Sequence, residues 1–297
     1  MSWKLTPPVL LAVCLFASLA EGAGGYYRSG WFANGYLSAR YDDNVSRSQA
    51  DSDIKEDFVT NARARAGYRK SIGNTVNLSA SLDAEYENFA DFDDLNNYRF
   101  GAGVDLTFQP VRTFRAPWFS AFAKLSSLDF DDSAIRSGTL FETGAGIGLR
   151  VTDRILGRAG YAFTQRTADE RAVFETDDHA FETSVDYQLT NRITLFANYD
   201  FHIGEVVSNA TPTAAIIREA EAVAPDDAFT TGLGPGCMNR RCAYRVDALT
   251  HRVGGGIDFA LAERASLDIS MRFLRVDADR DIYYQGLAYS ANLYLRF

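Results

Sequence analysis

From Thr75 to Glu87 the chain reads Thr-Val-Asn-Leu-Ser-Ala-Ser-Leu-Asp-Ala-Glu-Tyr-Glu. Val76, Leu78, Ala80, Leu82, Ala84 and Tyr86 fall on one face of an extended strand. Asn77, Ser79, Ser81, Asp83, Glu85 and Glu87 fall on the other, because side chains alternate across a strand. This alternation outlasts the roughly 5–6 residues of a typical soluble strand. It recurs along the chain. Tyr98, Phe100, Ala102, Val104, Leu106 and Phe108 oppose Arg99, Gly101, Gly103 and Asp105, and Ile193, Leu195, Ala197, Tyr199 and Phe201 oppose Asn198, Asp200 and His202. Taken together, the pattern predicts strands over 31–42, 57–69, 75–87, 98–109, 118–130, 139–151, 155–166, 181–189, 193–203, 247–260, 265–273 and 285–297. That is about twelve, with ten or fourteen as the alternatives.

The links between these strands alternate in length. Short ones are 71–74, 110–117, 152–154, 190–192 and 261–264. Long ones are roughly 43–56, 88–97, 130–138, 167–179, 204–246 and 277–284. Transmembrane β-barrels show this asymmetry, with short periplasmic turns and long outer loops. The expected fold is therefore all-β, an antiparallel transmembrane barrel over 31–297 with both termini on the periplasmic side. The last strand places Tyr289, Ala291, Leu293 and Leu295 on the face of the terminal Phe297. This resembles the C-terminal signature of bacterial outer-membrane proteins that the barrel-assembly machinery reads, and Phe297 is its expected membrane-assembly residue.

Composition changes the picture in three respects. Lys and Arg total 30 against 39 Asp and Glu, a net charge of −9, which argues against nucleic acid as the main partner. Beyond the N-terminus there is no run of ~18 apolar residues, so a helical membrane protein is excluded. Lys4 precedes the apolar run 8–17 and Ser18-Leu-Ala20 follows it, the pattern of a secretory signal peptide over 1–20, leaving 21–30 as a short periplasmic segment. Export brings an oxidising compartment, so Cys237 and Cys242 are expected to form a disulfide around four intervening residues. No cofactor is expected.

The segment Leu37-Ser-Ala-Arg-Tyr-Asp-Asp-Asn-Val45, followed by Ser52-Asp53 and an Ala/Arg-rich strand, resembles the first hairpin of the β-barrel porin type 2 group. Glu85-Tyr-Glu-Asn-Phe89 is similar to the next strand end of that family. The resemblance spans about 35–108. It implies a porin-like role and, for some members, a place in exopolysaccharide secretion, with no catalytic residues to carry over.

If the apolar faces meet lipid, the polar faces line a lumen. Its expected charged residues are Arg40, Arg63, Arg65, Asp83, Glu85, Arg99, Asp105, Glu142, Arg150, Glu182, Asp186, Asp200, Arg252, Asp258, Asp268 and Arg272. The hairpin turn at 71–74 puts Arg63 opposite Asp83 and Arg65 beside Ser81. Such a lumen is either a salt-bridged rigid scaffold or a narrow polar pore with a transverse field. Aspartate pairs recur in the outer loops, at Asp42–Asp43, Asp93–Asp94, Asp131–Asp132, Asp177–Asp178 and Asp226–Asp227, with Asp277, Asp279 and Asp281 in the sixth. They predict an acidic outer rim, which either serves solvation alone or attracts cations or holds Ca²⁺ or Mg²⁺ bridging to lipopolysaccharide. Ala214–Ala224 reads as a short helix in the longest loop, which either folds into the pore or covers the mouth. An enzyme is not expected. Gly144-x-Gly-x-Gly148 lies on a strand and is no phosphate loop. His202 points into the lumen, and His251 on the lipid face has no matching Ser. The sequence thus points to an integral outer-membrane channel for passive diffusion of small hydrophilic solutes or ions. A non-conducting structural or exopolysaccharide-secretion barrel is the alternative.

Overall fold

The computed structural model describes residues 29–111, 113–211, 213–229, 237, 241–278 and 282–297. The signal-peptide and most of the 21–30 prediction lie outside the described residues, as do Asp279 and Asp281. Thirteen strands form one sheet: β1 Gly30–Asp42, β2 Asp57–Ile72, β3 Val76–Phe89, β4 Asn97–Phe108, β5 Trp118–Phe130, β6 Gly138–Arg150, β7 Ile155–Ala168, β8 Thr176–Gln188, β9 Ile193–Ala210, β10 Ala222–Pro225, β11 Cys242–Ala262, β12 Ala265–Ala278 and β13 Tyr283–Arg296. Among the described residues one α-helix, α1, spans Ala214–Glu219. All pairings are antiparallel between chain neighbours, except that β9 pairs with β11 and β13 returns to β1. The short β10 sits outside the ring on the upper part of β11, so twelve strands close a barrel.

Closure follows from the alternation. The outward faces carry Leu37, Leu82, Phe100, Val104, Leu125, Phe181, Val253 and Ile269, all strongly exposed; Leu82 is 69% exposed. That much apolar surface needs a hydrocarbon solvent. In hydrocarbon each unsatisfied backbone group costs several kcal/mol, and a closed ring leaves none at an edge. The seam is continuous from Asn34↔Arg296 to Asp42↔Ala288, and the Phe297 N–H extends it to the Ala33 carbonyl at 2.9 Å. Phe297 itself faces outward, 72% exposed. Aromatic pairs mark both ends of the apolar belt, Trp31–Tyr68 (5.4 Å) at the short-turn end and Tyr86–Tyr98 (4.3 Å) at the long-loop end. Aromatic girdles of this kind occupy membrane interfaces. No helix among the described residues is long and apolar enough to cross a membrane.

Two of the short turns share a device. The Thr152 hydroxyl accepts from the backbone N–H groups of Arg154 and Ile155, and Thr190 does the same for Arg192 and Ile193. A side chain thereby supplies the turn's missing acceptor. In the β2–β3 turn Gly73 takes φ +59°, a conformation that costs a side-chain-bearing residue.

Three expectations need correction. The β2–β3 register is two residues off: Ile72 pairs with Val76, so Arg63 lies opposite Glu85 and Arg65 opposite Asp83. The turn centres on Gly73 and Asn74, and not on 71–74 as a four-residue link. The loop 204–246 is shorter than expected, because β9 continues to Ala210 and β11 begins at Cys242. Ser208, Asn209, Ala210, Ala243 and Tyr244 are buried on adjacent positions, so both faces are covered and the two-residue period disappears. The helix stops at Glu219, and Ala222–Pro225 pairs as β10 where helix was expected.

Candidate functional site in the barrel lumen

The barrel encloses one cavity of about 910 Å³. Its wall runs from Arg69, Asn77, Leu156 and Arg296 near the short turns to Arg166, Phe174 and Phe229 at the long-loop end. Of the residues expected to line the lumen, Arg40, Arg63, Arg65, Asp105, Glu142, Glu182, Asp186, Asp200, Arg252, Asp258, Asp268 and Arg272 face this cavity. Asp83, Glu85 and Arg99 point inward but are buried beneath their neighbours. Arg150 stacks over Phe114 at 4.9 Å, by the β4–β5 turn.

Over β2 to β8 most lumen cations are paired with carboxylates, Arg166 excepted, which donates to the Arg136 carbonyl at 2.5 Å. The Arg63 guanidinium donates to Asp83 at 2.5 Å, and the Lys124 ammonium lies 3.9 Å from the same carboxylate. Arg63 thus reaches its expected partner diagonally across the shifted register. Arg65 donates to Ser81 at 2.9 Å and ion-pairs with Asp105. Arg99 ion-pairs with Glu142 with both side chains about nine-tenths buried. Asn61 donates to Glu85 at 2.8 Å, and Arg158 to Asp186 at 2.5 Å. The glycines of β6 serve this packed wall. A Cβ on Gly148 would meet the Trp118 ring at 2.1 Å, and one on Gly144 the Phe122 ring at 2.6 Å. Each glycine stands directly opposite its ring, so the alternate glycines make room for inward aromatics.

Over β9 to β1 the pattern differs. Arg40, Arg252 and Arg272 all line the cavity, and none makes a salt bridge among the described residues. Arg252 approaches the Nε2 of His202 at 3.1 Å, while His202 Nδ1 bonds Asp178 at 2.7 Å. The Nε atoms of Arg40 and Arg272 are buried without a hydrogen-bond partner, as is Oδ1 of Asp200. Glu182 stands directly across from Asp200 in the register. Between β12 and β1, Asn292 joins Tyr36 (2.9 Å), Ser38 (2.7 Å) and Asp268 (2.8 Å) into a network that spans the seam.

The outer mouth is filled from above. Ala228 and Phe229 pack against Val59, Phe89 and Leu95. Asp226 is fully buried and accepts from Arg136 at 2.5 Å, and Asp227 accepts from Ser133 at 2.7 Å. The Arg136 guanidinium lies 4.5 Å from the Phe174 ring centre. Three outer loops each end in a single 3₁₀ turn, at Asp93–Leu95, Ala134–Arg136 and Ala172–Phe174, which buries Leu95, Arg136 and Phe174 respectively. The Cys237–Cys242 disulfide is present, closing the base of this loop where β11 starts.

The acidic rim is thinner than the sequence suggests. Asp42 is buried and ion-paired with Arg47 at 2.8 Å, Asp178 turns inward to His202, and Asp226 lies beneath the mouth. Alternation explains this: of two adjacent aspartates in extended chain, one must face in. Asp43 accepts from the Leu287 N–H at 2.7 Å. Asp93, Asp94, Asp131, Asp132 and Asp177 remain at the outer end. Partial burial first, then the neighbouring Asp93, Asp227, Asp132 and Asp226, hold the Asp94 carboxyl above the usual carboxylate range. Burial and Asp132 do the same to Asp131. The carboxylates of Glu205, Glu221 and Asp247 converge within 4.8 Å on the raised wall, but Arg245 already spans Glu205 (3.2 Å) and Glu221 (3.1 Å).

The block Tyr41-Asp-Asp-Asn-Val45 proves to be a loop-folding device. Asn44 is buried, donates to the carbonyls of Ser48 (2.9 Å) and Gln285 (2.8 Å) and accepts from Ser48 N–H (3.0 Å). Asp53 accepts from the Thr211 N–H at 2.7 Å and ties this loop to the mouth-filling one. Arg47, Arg136 and Phe229 are site residues that the sequence reading missed, and Asp226, expected at the rim, lies beneath the mouth. Only strand parity extended beyond the expected ends, as at Asp42 and Asp178, gave a signal for such inward positions.

A closed antiparallel barrel with an apolar belt and a charged interior defines a transmembrane β-barrel. No family model matches the chain, and no curated protein matches it. Among solved structures it is similar to an outer membrane channel from Pseudomonas putida F1, at TM-score 0.58 and 8% identity over 93% of this chain and 98% of that one. It is also similar, at TM-score 0.42 and 11% identity, to the translocator domain of the autotransporter NalP from Neisseria meningitidis, over 95% of this chain and 93% of that one. At these identities the likeness is one of fold.

Proposed function

We propose that the protein is an outer-membrane channel through which small hydrophilic solutes diffuse passively. The observation that carries this reading is the cavity lined by charged side chains from the short-turn end of the barrel to the long-loop end. A lumen built only as a scaffold would spend its charges on one another; Arg40, Arg252 and Arg272 are not spent. The long loops face outward and both termini face the periplasm in this reading, as the loop asymmetry requires. Exposed loop aspartates on the β3–β4 and β5–β6 connections give the mouth a local negative potential, which divalent cations and lipopolysaccharide phosphates would share.

Filling of the outer mouth by Ala228 and Phe229 favours a second reading, a non-conducting accessory barrel, for example in exopolysaccharide secretion. Liposome swelling separates the two. Proteoliposomes containing the purified barrel should admit arabinose faster than protein-free liposomes, and equal rates would rule the channel out.

A further inference from the structure

We infer that the lumen holds a binding site for a small anionic solute, built from Arg40, Arg252 and Arg272. The inference rests on the channel reading for its biological sense, but not for its test. Arg40 projects from β1, Arg252 from β11 and Arg272 from β12, and all three reach the same cavity. Arg272 lies within electrostatic reach of both other guanidiniums. Three like charges held this close repel one another, and a folded wall bears that cost without return unless something neutralises them. On β2 to β8 Arg63, Arg65, Arg99, Lys124 and Arg158 each have a carboxylate in contact, and Arg166 is the exception, bonded to the Arg136 carbonyl. Here Arg40 and Arg272 make no ion pair among the described residues, and the Arg252 contact is to an imidazole.

Small residues flank them. Gly254 stands directly across from Arg272 on one side and Ala288 on the other, and Ser290 stands directly across from Arg40. These small residues also line the cavity. The Asn198 amide covers Gly254, where a Cβ would meet its Oδ1 at 2.5 Å, and adds a neutral polar group to the site. The Tyr36 ring, also in the lining, gives the site one aromatic wall.

Acidic groups do face the trio, and they do not cancel it. Asp200 lies directly across from Arg252, with Glu182 beyond it on β8. His202 and Asp178 pair with each other. Asp42 is taken by Arg47, and both carboxylate oxygens of Glu87 are sealed in the wall without a partner. Asp268, on the same strand as Arg272, is held by Ser270 (3.0 Å) and Asn292 (2.8 Å). None of these carboxylates ion-pairs with a guanidinium of the trio, which leaves the N–H donors to a ligand. Of the exposed rim aspartates, Asp93, Asp94, Asp131 and Asp132 belong to the β3–β4 and β5–β6 loops, on the opposite arc of the ring, and Asp277 at the end of β12 is taken by Arg275.

Guanidinium groups match planar carboxylates and tetrahedral phosphates with paired N–H donors. The solute class is accordingly a small dicarboxylate, or a phosphate or phosphate ester. Isothermal titration of the folded full-length protein in detergent, with succinate and with inorganic phosphate as separate probes and choline as the cationic control, tests this without requiring conduction. At least one anion should bind saturably and choline should not. Arg40→Gln, Arg252→Gln and Arg272→Gln should each weaken that binding by about tenfold, the worth of one charge-assisted contact. Arg218→Gln, on the exposed helix α1, should leave it unchanged. Heat-modifiable gel mobility confirms that each variant is a folded barrel, and Arg272→Lys serves if a glutamine variant fails to fold. Succinate binding alone, phosphate binding alone, or both would support the site and name the class. Binding of neither, or binding untouched by all three substitutions, would overturn it. A protein that binds succinate yet admits no solute into liposomes keeps the site and loses the channel; one that conducts without binding does the reverse.

Discussion

The two arcs of the lumen wall carry the same kinds of residue and use them differently. On β2 to β8, Arg63, Arg65, Arg99, Lys124 and Arg158 each meet a carboxylate, and Trp118 and Phe122 fill the space opposite glycines. On β9 to β1, Arg40, Arg252 and Arg272 make no ion pair among the described residues, although Asp200 stands directly across from Arg252, and Gly254, Ala288 and Ser290 line the cavity beside them. A buried pair that loses one member leaves an uncompensated charge, whereas an unpaired charge has nothing of this kind to lose. The paired arc is therefore the part of the wall that sets stability, and the unpaired arc is the part available to a solute.

Removing one member of a pair should show the largest effect. Glu142→Gln strands the buried Arg99 guanidinium, and we expect a loss of about 3 kcal/mol in urea unfolding from lipid vesicles. A loss below about 1 kcal/mol would mean that water in the lumen already solvates the pair, and the contrast between the arcs would fail. Next in size is the mouth. Asp226→Ala removes the carboxylate that Arg136 holds at 2.5 Å, so residues 226–229 should leave the outer opening and single-channel conductance should rise a few-fold. Unchanged conductance would mean that Phe229 does not limit flow.

A smaller effect concerns pH. The folded-state pKa values of Asp94 and Asp131 are raised by burial and by neighbouring aspartates. Raised carboxyl pKa values favour the folded loops at acidic pH, and that contribution is lost as pH rises through the folded values. Hydrogen exchange of the 93–95 and 131–137 loops should slow as pH falls from 7 toward about 4, after correction for intrinsic rates. Faster corrected exchange would contradict the repulsion assigned to this cluster. The smallest effect is expected on the open arc. Arg272→Gln should change unfolding stability by less than about 0.5 kcal/mol, or increase it, since it relieves repulsion from Arg40 and Arg252. A cost like that of Glu142→Gln would show a structural partner for Arg272.

Most of the barrel was legible because a membrane enforces the two-residue period. Within the apolar belt one face meets lipid and the other a polar lumen, so Leu82 and Asp83 announce their directions by type alone. Above the belt that contrast ends. Val59, Phe89 and Leu140 face inward although apolar, because outer loops cover them, and the extensions of β9 and β11 escaped notice for the same reason. The lumen residues were legible as a set, from parity. Their pairing was not, because it depends on which neighbours share a height on the wall. Arg63 finds Asp83 only by leaning diagonally over a register that the turn shifts by two. Nothing in the local sequence separates Arg63, which is paired, from Arg272, which is not.

The central claim is a solute path with an unpaired-arginine face, and single-channel recording in planar bilayers tests it most directly. The wild-type protein should conduct, its current should be reduced reversibly by succinate and left unaffected by choline, and the combined Arg40→Gln, Arg252→Gln, Arg272→Gln protein should conduct without succinate block. A folded wild-type barrel with no conductance, or with a current indifferent to succinate, would contradict the account.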